Sequence, residues 1–384
     1  MFDAVAPAPL TLSNATIVTP EGLIEATLRV ESGRIAGFAS DRGEGVDLSG
    51  HVLIPGIVDL HTDHVEAHVH PRNTVQWAFL PALMAHDGVV ISGGTTTVFD
   101  SLSVGASMKR PERREILGPL VEAIEHGVSN GLFRAEHLLH MRCEISDPAT
   151  IDLVDATIGK GLARLVSVMD HTPGDRQSPD MERWFHHMIH EMEIDEAEGR
   201  LRMQELLDRS ARVGAEVRAH VVAATHAHAL PLMSHDDRTL DHVDQAQAEG
   251  VTISEFPTTL DAARKARDYG QAIVAGAPNY LRGGSQSGNV AVRTLLEQRL
   301  VDVLASDYIP RSPLDAAFAI AADPALPHKL HEAVALVTDR PAQLTGLGDR
   351  GRIEEGLRAD LAAVRVVHGQ PQVSAVWREG VRVF

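Results

Sequence analysis

Residues 56–72 read GIVDLHTDHVEAHVHPR: four histidines, two aspartates and a glutamate in seventeen positions, directly after the apolar run VLIP. Side chains two apart on a strand share a face, so His61 and Asp63 point the same way if this segment is the end of a strand. One His-x-Asp pair is ordinary surface chemistry. It becomes a site only if other segments bring matching groups to the same place.

Seven further runs have the same form, apolar or β-branched residues followed by His, Asp, Glu or Asn. They are GTTTVFD, HLLHMRCE, RLVSVMDH, LPLMSHDD, VTISEFPT, AIVAGAPN and VDVLASDY. Helix-like segments separate them. Eight strand–helix units predict an α/β fold, a (β/α)8 TIM-like barrel whose site lies at the C-terminal ends of the strands. Their irregular spacing argues against a solenoid. Short alternating strands with turns occupy both ends of the chain, as in LTLSNATIVTP and QVSAVWREGVRVF. They predict a small β-sandwich domain assembled from residues 1–54 and 346–384, around a barrel over 55–345. A charged, helix-forming insertion near 180–230 reads as two or more helices that could cover the mouth.

With that barrel, the strand ends carry His61 and Asp63, Glu144, His171, His235 and Asp307. Imidazoles and carboxylates on separate strands suit a divalent metal, Zn²⁺ first, with one or two ions and with Mn²⁺ or Fe²⁺ as alternatives. Glu144 offers two oxygens and could bridge two ions. Asp307 is the expected catalytic residue, taking the proton of an attacking water. Polar residues at an exposed rim are the bland alternative; six on one mouth favour the metal.

The chain has 384 residues, more than one core usually holds. A single cysteine, Cys143, excludes an internal disulfide framework and fits a reducing cytoplasm, the expected location. The start MFDAVAPAPL lacks a basic region followed by an apolar core, so no secretory signal is expected. A formal charge of −18 argues against general nucleic-acid binding and against an anionic membrane surface. A small-molecule substrate is the expected partner; a homo-oligomer is left open.

LHTD, SGGTTTVFD, RAEHLLHMRCE, LVSVMDHTPGDRQ, SHDD, EFPTTLDAA, GAPNYLRGGSQSGNVA, ASDYIP and VWREGVRVF together resemble the amidohydrolase superfamily. More narrowly, they are similar to the α-D-ribose 1-methylphosphonate 5-triphosphate diphosphatases of the carbon–phosphorus lyase pathway. That resemblance implies a hydrolase cleaving a phosphoanhydride of a ribose 1-phosphonate 5-triphosphate to the 5-phosphate and pyrophosphate, in phosphonate catabolism. It implies the same six metal-site residues. Three departures stand out: His64 where the family has asparagine, Gln286 where it has histidine, and an insertion without the family's tyrosines and lysines.

NYLRGGSQSGN, residues 279–289, follows the seventh run, where barrels place phosphate sites. Arg282 with Gly283, Gly284 and Ser285 therefore reads as a phosphate cradle; a plain turn is the alternative. Arg142 and Arg176 are further substrate-binding candidates, each just beyond or within a strand end. His64, His68 and His70 read as groups that support the site, and Asp87 and Asp100 as rim residues. Two other functions fit the pattern. One is hydrolysis or deamination of a cyclic amide or amidine; the other is a catalytically silent scaffold.

Overall fold

The structure, a computed structural model, describes residues 8–40, 45–72, 75–106, 112–176, 178–285 and 288–384. Five strands open the chain: β1 (Leu10–Thr19), β2 (Gly22–Glu31), β3 (Arg34–Ala39), β4 (Val46–Asp47) and β5 (Val52–Pro55). Eight parallel strands follow: β6 (Ile57–Thr62), β7 (Thr95–Val104), β8 (Glu136–Glu144), β9 (Ala163–Met169), β10 (Leu232–His235), β11 (Ile253–Glu255), β12 (Ala272–Gly276) and β13 (Val303–Ala305). Three strands close it: β14 (Leu361–Val367), β15 (Gln370–Arg378) and β16 (Val381–Arg382).

The parallel strands pair in chain order from β6 to β13. Closure between the last and the first falls at the site itself. Thr62 and Asp307 form a bridge, Asp307 N donates to His61 O at 2.8 Å, and Asp63 N donates to Asp307 O at 2.8 Å. The eight sequence runs are thus the eight barrel strands. The strands are short and buried on both faces, which is why they read as apolar runs without alternation. Val58, Leu60, Phe99, Leu165, Met233 and Val274 fill the barrel interior.

Among the helices, α1 (His64–Val69) and α2 (Phe79–Ser92) lie between β6 and β7, and α3 (Arg113–Ser129) and α4 (Thr150–Thr157) flank β8. The segment 180–230 forms α5 (Met181–Met192) and α6 (Glu196–Ala227), each started by an aspartate side chain, Asp180 or Asp195, that accepts a backbone N–H. The second half of α6 is the crossover helix from β9 to β10, not a cover: Val217 and Val221 are buried in the layer between helices and barrel. The chain continues through α7 (Leu240–Ala248), α8 (Leu260–Asp268), α9 (Ala277–Arg282), α10 (Val292–Glu297), α11 (Ser312–Ala322), α12 (Leu330–Ala335) and α13 (Asp339–Leu344).

Strands from the two termini join in one curled sheet, ordered β16-β15-β14-β5-β1-β2-β3 with β4 beside β1. The parallel pair β1–β5 and the antiparallel pair β5–β14 interleave the ends of the chain. One face packs on Leu12, Ile17, Leu28, Leu53 and Trp377. Val364 and Val376 reach the barrel's outer core beside Ile57. Gly56 is the step from sheet to barrel, where a Cβ would sit 2.2 Å from Thr96 Oγ1. Only glycine fits there.

Candidate metal centre

β6 delivers His61, which is 1% exposed. Its Nδ1 donates to Glu255 Oε1 at 2.6 Å, and the Nδ1 of His235 donates to Glu255 Oε2 at 2.6 Å. One carboxylate at the end of β11 therefore fixes the tautomer of two imidazoles and leaves both Nε2 atoms for other partners. The two rings stack at 5.9 Å, 14° apart. His61 Nε2 is buried and forms no hydrogen bond among the described residues; Asp63 Oδ1 lies 3.3 Å away. His61, Asp63 and Asp307 bring ligand atoms within 4.8 Å of one another, and so do His171, His235 and Asp236.

Five of the six residues expected at the site thus fall in two adjoining ligand groups. The sixth, Glu144, adjoins the second group: His171 Nδ1 donates to its Oε2 at 2.7 Å, and Ser146 Oγ donates to its Oε1 at 2.9 Å. Arg142 is paired with Asp63, and Arg176 with Asp237, so two of the three expected substrate arginines already hold a carboxylate.

The electrostatics fit a cation. Burial works against protonating His61, yet Glu255 and Asp63 outweigh it and lift its pKa to about 10. Burial pushes the Asp307 carboxyl up to about 6; Asp63 pushes the same way, and His61 and Arg142 oppose it. A site that holds a proton on a buried imidazole between carboxylates is short of positive charge, and a divalent ion displaces that proton. The orphaned His61 Nε2, and Asp236 Oδ2, buried without a hydrogen bond 3.3 Å from His235 Nε2, are the atoms that gain a partner.

The phosphate-cradle candidates lie beside this centre. One pocket, enclosing about 670 Å³ open to solvent, is lined by Asp236 and Asp307 and also by Asn279, Arg282, Gly284, Ser285 and Tyr308. Arg282 Nη1 donates to Tyr308 Oη at 3.1 Å. Gly283 and Gly284 have φ of 79° and 153°, which turns the chain out of α9. Gln286 lies outside the described residues.

Three residues of the centre carried no assigned role in the sequence: Glu255, Asp236 and His140. Glu255 ends the run VTISEFPT and Asp236 follows His235 in SHDD, so position at a strand end was an available signal. His140 is mid-strand, its Nε2 on Ser167 Oγ at 3.0 Å and its Nδ1 near Leu60 O at 3.0 Å, and spacing alone does not mark it. Asp87 and Asp100 are fully buried rather than at the rim.

The profile of the Amidohydrolase family matches residues 181–384, more than half of the chain. The chain belongs to the amidohydrolase family. It is a hydrolase of this family and is 38% identical to alpha-D-ribose 1-methylphosphonate 5-triphosphate diphosphatase of Escherichia coli (strain K12), over 98% of this chain and 100% of that protein. D-hydantoinase of Rhizobium radiobacter is 35% identical over 94 residues, 24% of this chain and 19% of that one. Among solved structures of the same fold is N-isopropylammelide isopropylaminohydrolase from Burkholderia multivorans ATCC 17616. It has a TM-score of 0.66 at 16% identity, covering 98% of each chain. The 5-methylcytosine deaminase of Klebsiella pneumoniae gives 0.63 at 16%, over 98% and 97%. No helix among the described residues is long and apolar enough to cross a membrane.

Proposed function

We propose that this amidohydrolase is a metal-dependent diphosphatase acting on a ribose 5-triphosphate that carries a 1-phosphonate, giving the 5-phosphate and pyrophosphate. The observation that carries the reading is the shared pocket: Asp236 and Asp307 of the candidate metal centre and Arg282, Gly284 and Ser285 of the glycine loop line one cavity. A triphosphate chain needs a cationic, amide-rich cradle within reach of the reacting phosphorus, and this pocket offers both. The activity named for the Escherichia coli relative supports the same choice.

His61, Asp63 and Asp307 would hold one ion and His171 and His235 a second, with Glu144 and Asp236 as further carboxylate ligands; Zn²⁺, Mn²⁺ and Fe²⁺ suit that donor set. Such ions polarise a phosphoryl oxygen and acidify water. Asp307 takes the proton of the attacking water, Glu255 keeps His61 and His235 aimed, and Arg282 binds the polyphosphate. One water is consumed across the anhydride bond, and pyrophosphate leaves. Arg142 positions Asp63 of the metal centre, and Arg176 holds Asp237, next to Asp236 in the chain.

The test separates pyrophosphate from orthophosphate released by the parent and by Arg282→Ala, beside hydantoin, cyclic amidine and simple ester substrates. Losing a charge-assisted contact costs about 1.5–3 kcal/mol, so kcat/KM should fall by about one to two decades with bound metal retained. Turnover of cyclic amides, none of triphosphates and no effect of Arg282→Ala would transfer the reading to cyclic-amide hydrolysis.

A further inference from the structure

His64, the departure from the family's asparagine, opens α1 one residue past Asp63. It joins two other histidines. His64 and His68 stand four apart on α1, one turn of helix, with ring centroids 4.7 Å apart. His86 comes from α2, its ring 5.9 Å from each. Each of the three offers a ligand nitrogen, all within 4.8 Å of one another.

The hydrogen bonding of His86 decides what this cluster can do. Its Nε2 donates to Asp100 Oδ1 at 3.0 Å, so the proton is on Nε2 and the lone pair on Nδ1. That Nδ1 is buried and has no hydrogen-bond partner among the described residues, in a side chain that is 0% exposed. A carboxylate behind one imidazole nitrogen with a bare lone pair on the other is the arrangement that metal-ligating histidines adopt. Asp100 has a second support: His137 Nδ1 donates to its other oxygen at 2.8 Å.

His64 Nδ1 and His68 Nε2 are 3.2 Å apart. Zn–N bonds of about 2.0–2.1 Å set two nitrogens of a tetrahedral site about 3.3–3.4 Å from each other. The pair already has that spacing, and His86 offers the third nitrogen within 4.8 Å of both. Whichever ring now carries the shared hydrogen shifts to its other tautomer when an ion binds. The nearest acid on α1, Glu66, is taken by Arg113 at 2.7 Å.

We propose that His64, His68 and His86 form a second metal site, separate from the catalytic centre: a three-imidazole site for Zn²⁺ or a similar borderline cation, with a fourth position open to water. His64 and His68 are half-buried, so the ion has a path in. The site clips α1 onto α2 directly behind the strand end that carries His61 and Asp63. It does not depend on which bond the enzyme cleaves.

The experiment counts Zn²⁺ retained per chain after chelation, reloading and desalting, in the parent and in His68→Ala, both also in a His171→Ala background. His68 is half-buried, and among the described residues its hydrogen-bond partner is His64, so its removal leaves the fold in place. The expected result is one equivalent fewer on His68→Ala in both backgrounds, restored by His68→Cys, which offers a thiolate. Equal counts with and without His68 would overturn the site. So would a His68-dependent equivalent that disappears in the His171→Ala background, because the ion would then belong to the catalytic centre.

Discussion

Glu255 holds two imidazoles by their Nδ1 atoms and so decides which nitrogens of His61 and His235 meet a cation. Replacing it with glutamine keeps the shape but removes an acceptor and the charge. We expect Glu255→Gln to reduce metal affinity and kcat/KM by about 10–100-fold with an unchanged circular dichroism spectrum. Full metal content with parental turnover would take Glu255 out of the centre. The contrast with His61 and Asp63 explains what was legible. Direct donors crowd into a short segment after an apolar run, and LHTD announces itself. A carboxylate whose task is to orient donors from two other strands sits alone in its own run, 20 residues from one partner and 194 from the other. Only the folded barrel brings it beneath them. Arg142 and Arg176 show the reverse limit: strand-end arginines suggested substrate, and the structure gives each a carboxylate first.

At the scale of elements, a buried network ties α2 to β7 and β8. Asp87 on α2 accepts from the backbone N–H groups of Arg134 and Ala135, both at 2.9 Å, and lies 3.4 Å from His137 Nε2. Asp100 on β7 joins His86 to His137. Burial opposes the charge on His137, but Asp100 and then Asp87 outweigh it and lift its pKa to about 9. Burial likewise opposes the charge on Asp100, and His137 with His86 brings it down to about 2. The signs follow. The raised His137 contributes stability that is complete below its unfolded value of about 6.5 and lost as pH rises through about 9. The lowered Asp100 contributes above about 3.9 and loses it as pH falls through about 2. Asp87→Ala removes a buried charge and strands two backbone donors, which should cost about 3–5 kcal/mol in a urea titration at pH 6. The loss should shrink toward pH 9, where the parent gives up part of the same network. A flat difference from pH 6 to 9 would rule out a charged His137. The eight strands around this network were readable as runs because strands buried on both faces carry few polar residues. Asp87 and Asp100 read as rim residues in the sequence because a lone aspartate near a strand is usually exposed. Nothing local to either announces two histidines across the layer.

For the whole molecule, the question is whether the terminal sheet and the barrel unfold together. The division at residues 54 and 346 came from a change of rhythm in the sequence, and that rhythm says nothing of coupling. The contacts do. Arg350 and Arg358 both reach Glu136 at the start of β8, at 2.6 and 2.8 Å, and Val376 of β15 packs in the barrel's outer core. The same β8 carries Cys143, which is 0% exposed and whose thiol burial pushes far above its ordinary range. A buried, protonated thiol does not react, so an aromatic disulfide reagent at pH 8 should label Cys143 only when β8 opens. Trp377 on β15 is 2% exposed, and Trp377→Ala should cost about 3–5 kcal/mol. If sheet and barrel are one cooperative unit, that loss reaches β8, and Cys143 should label about two to three and a half decades faster than in the parent. Rapid proteolysis near residue 377 with an unchanged Cys143 rate would show instead that the sheet detaches alone. Glu136 favours the cooperative outcome: freeing the sheet while β8 stays folded separates two arginines from one shared carboxylate, half-buried at the seam.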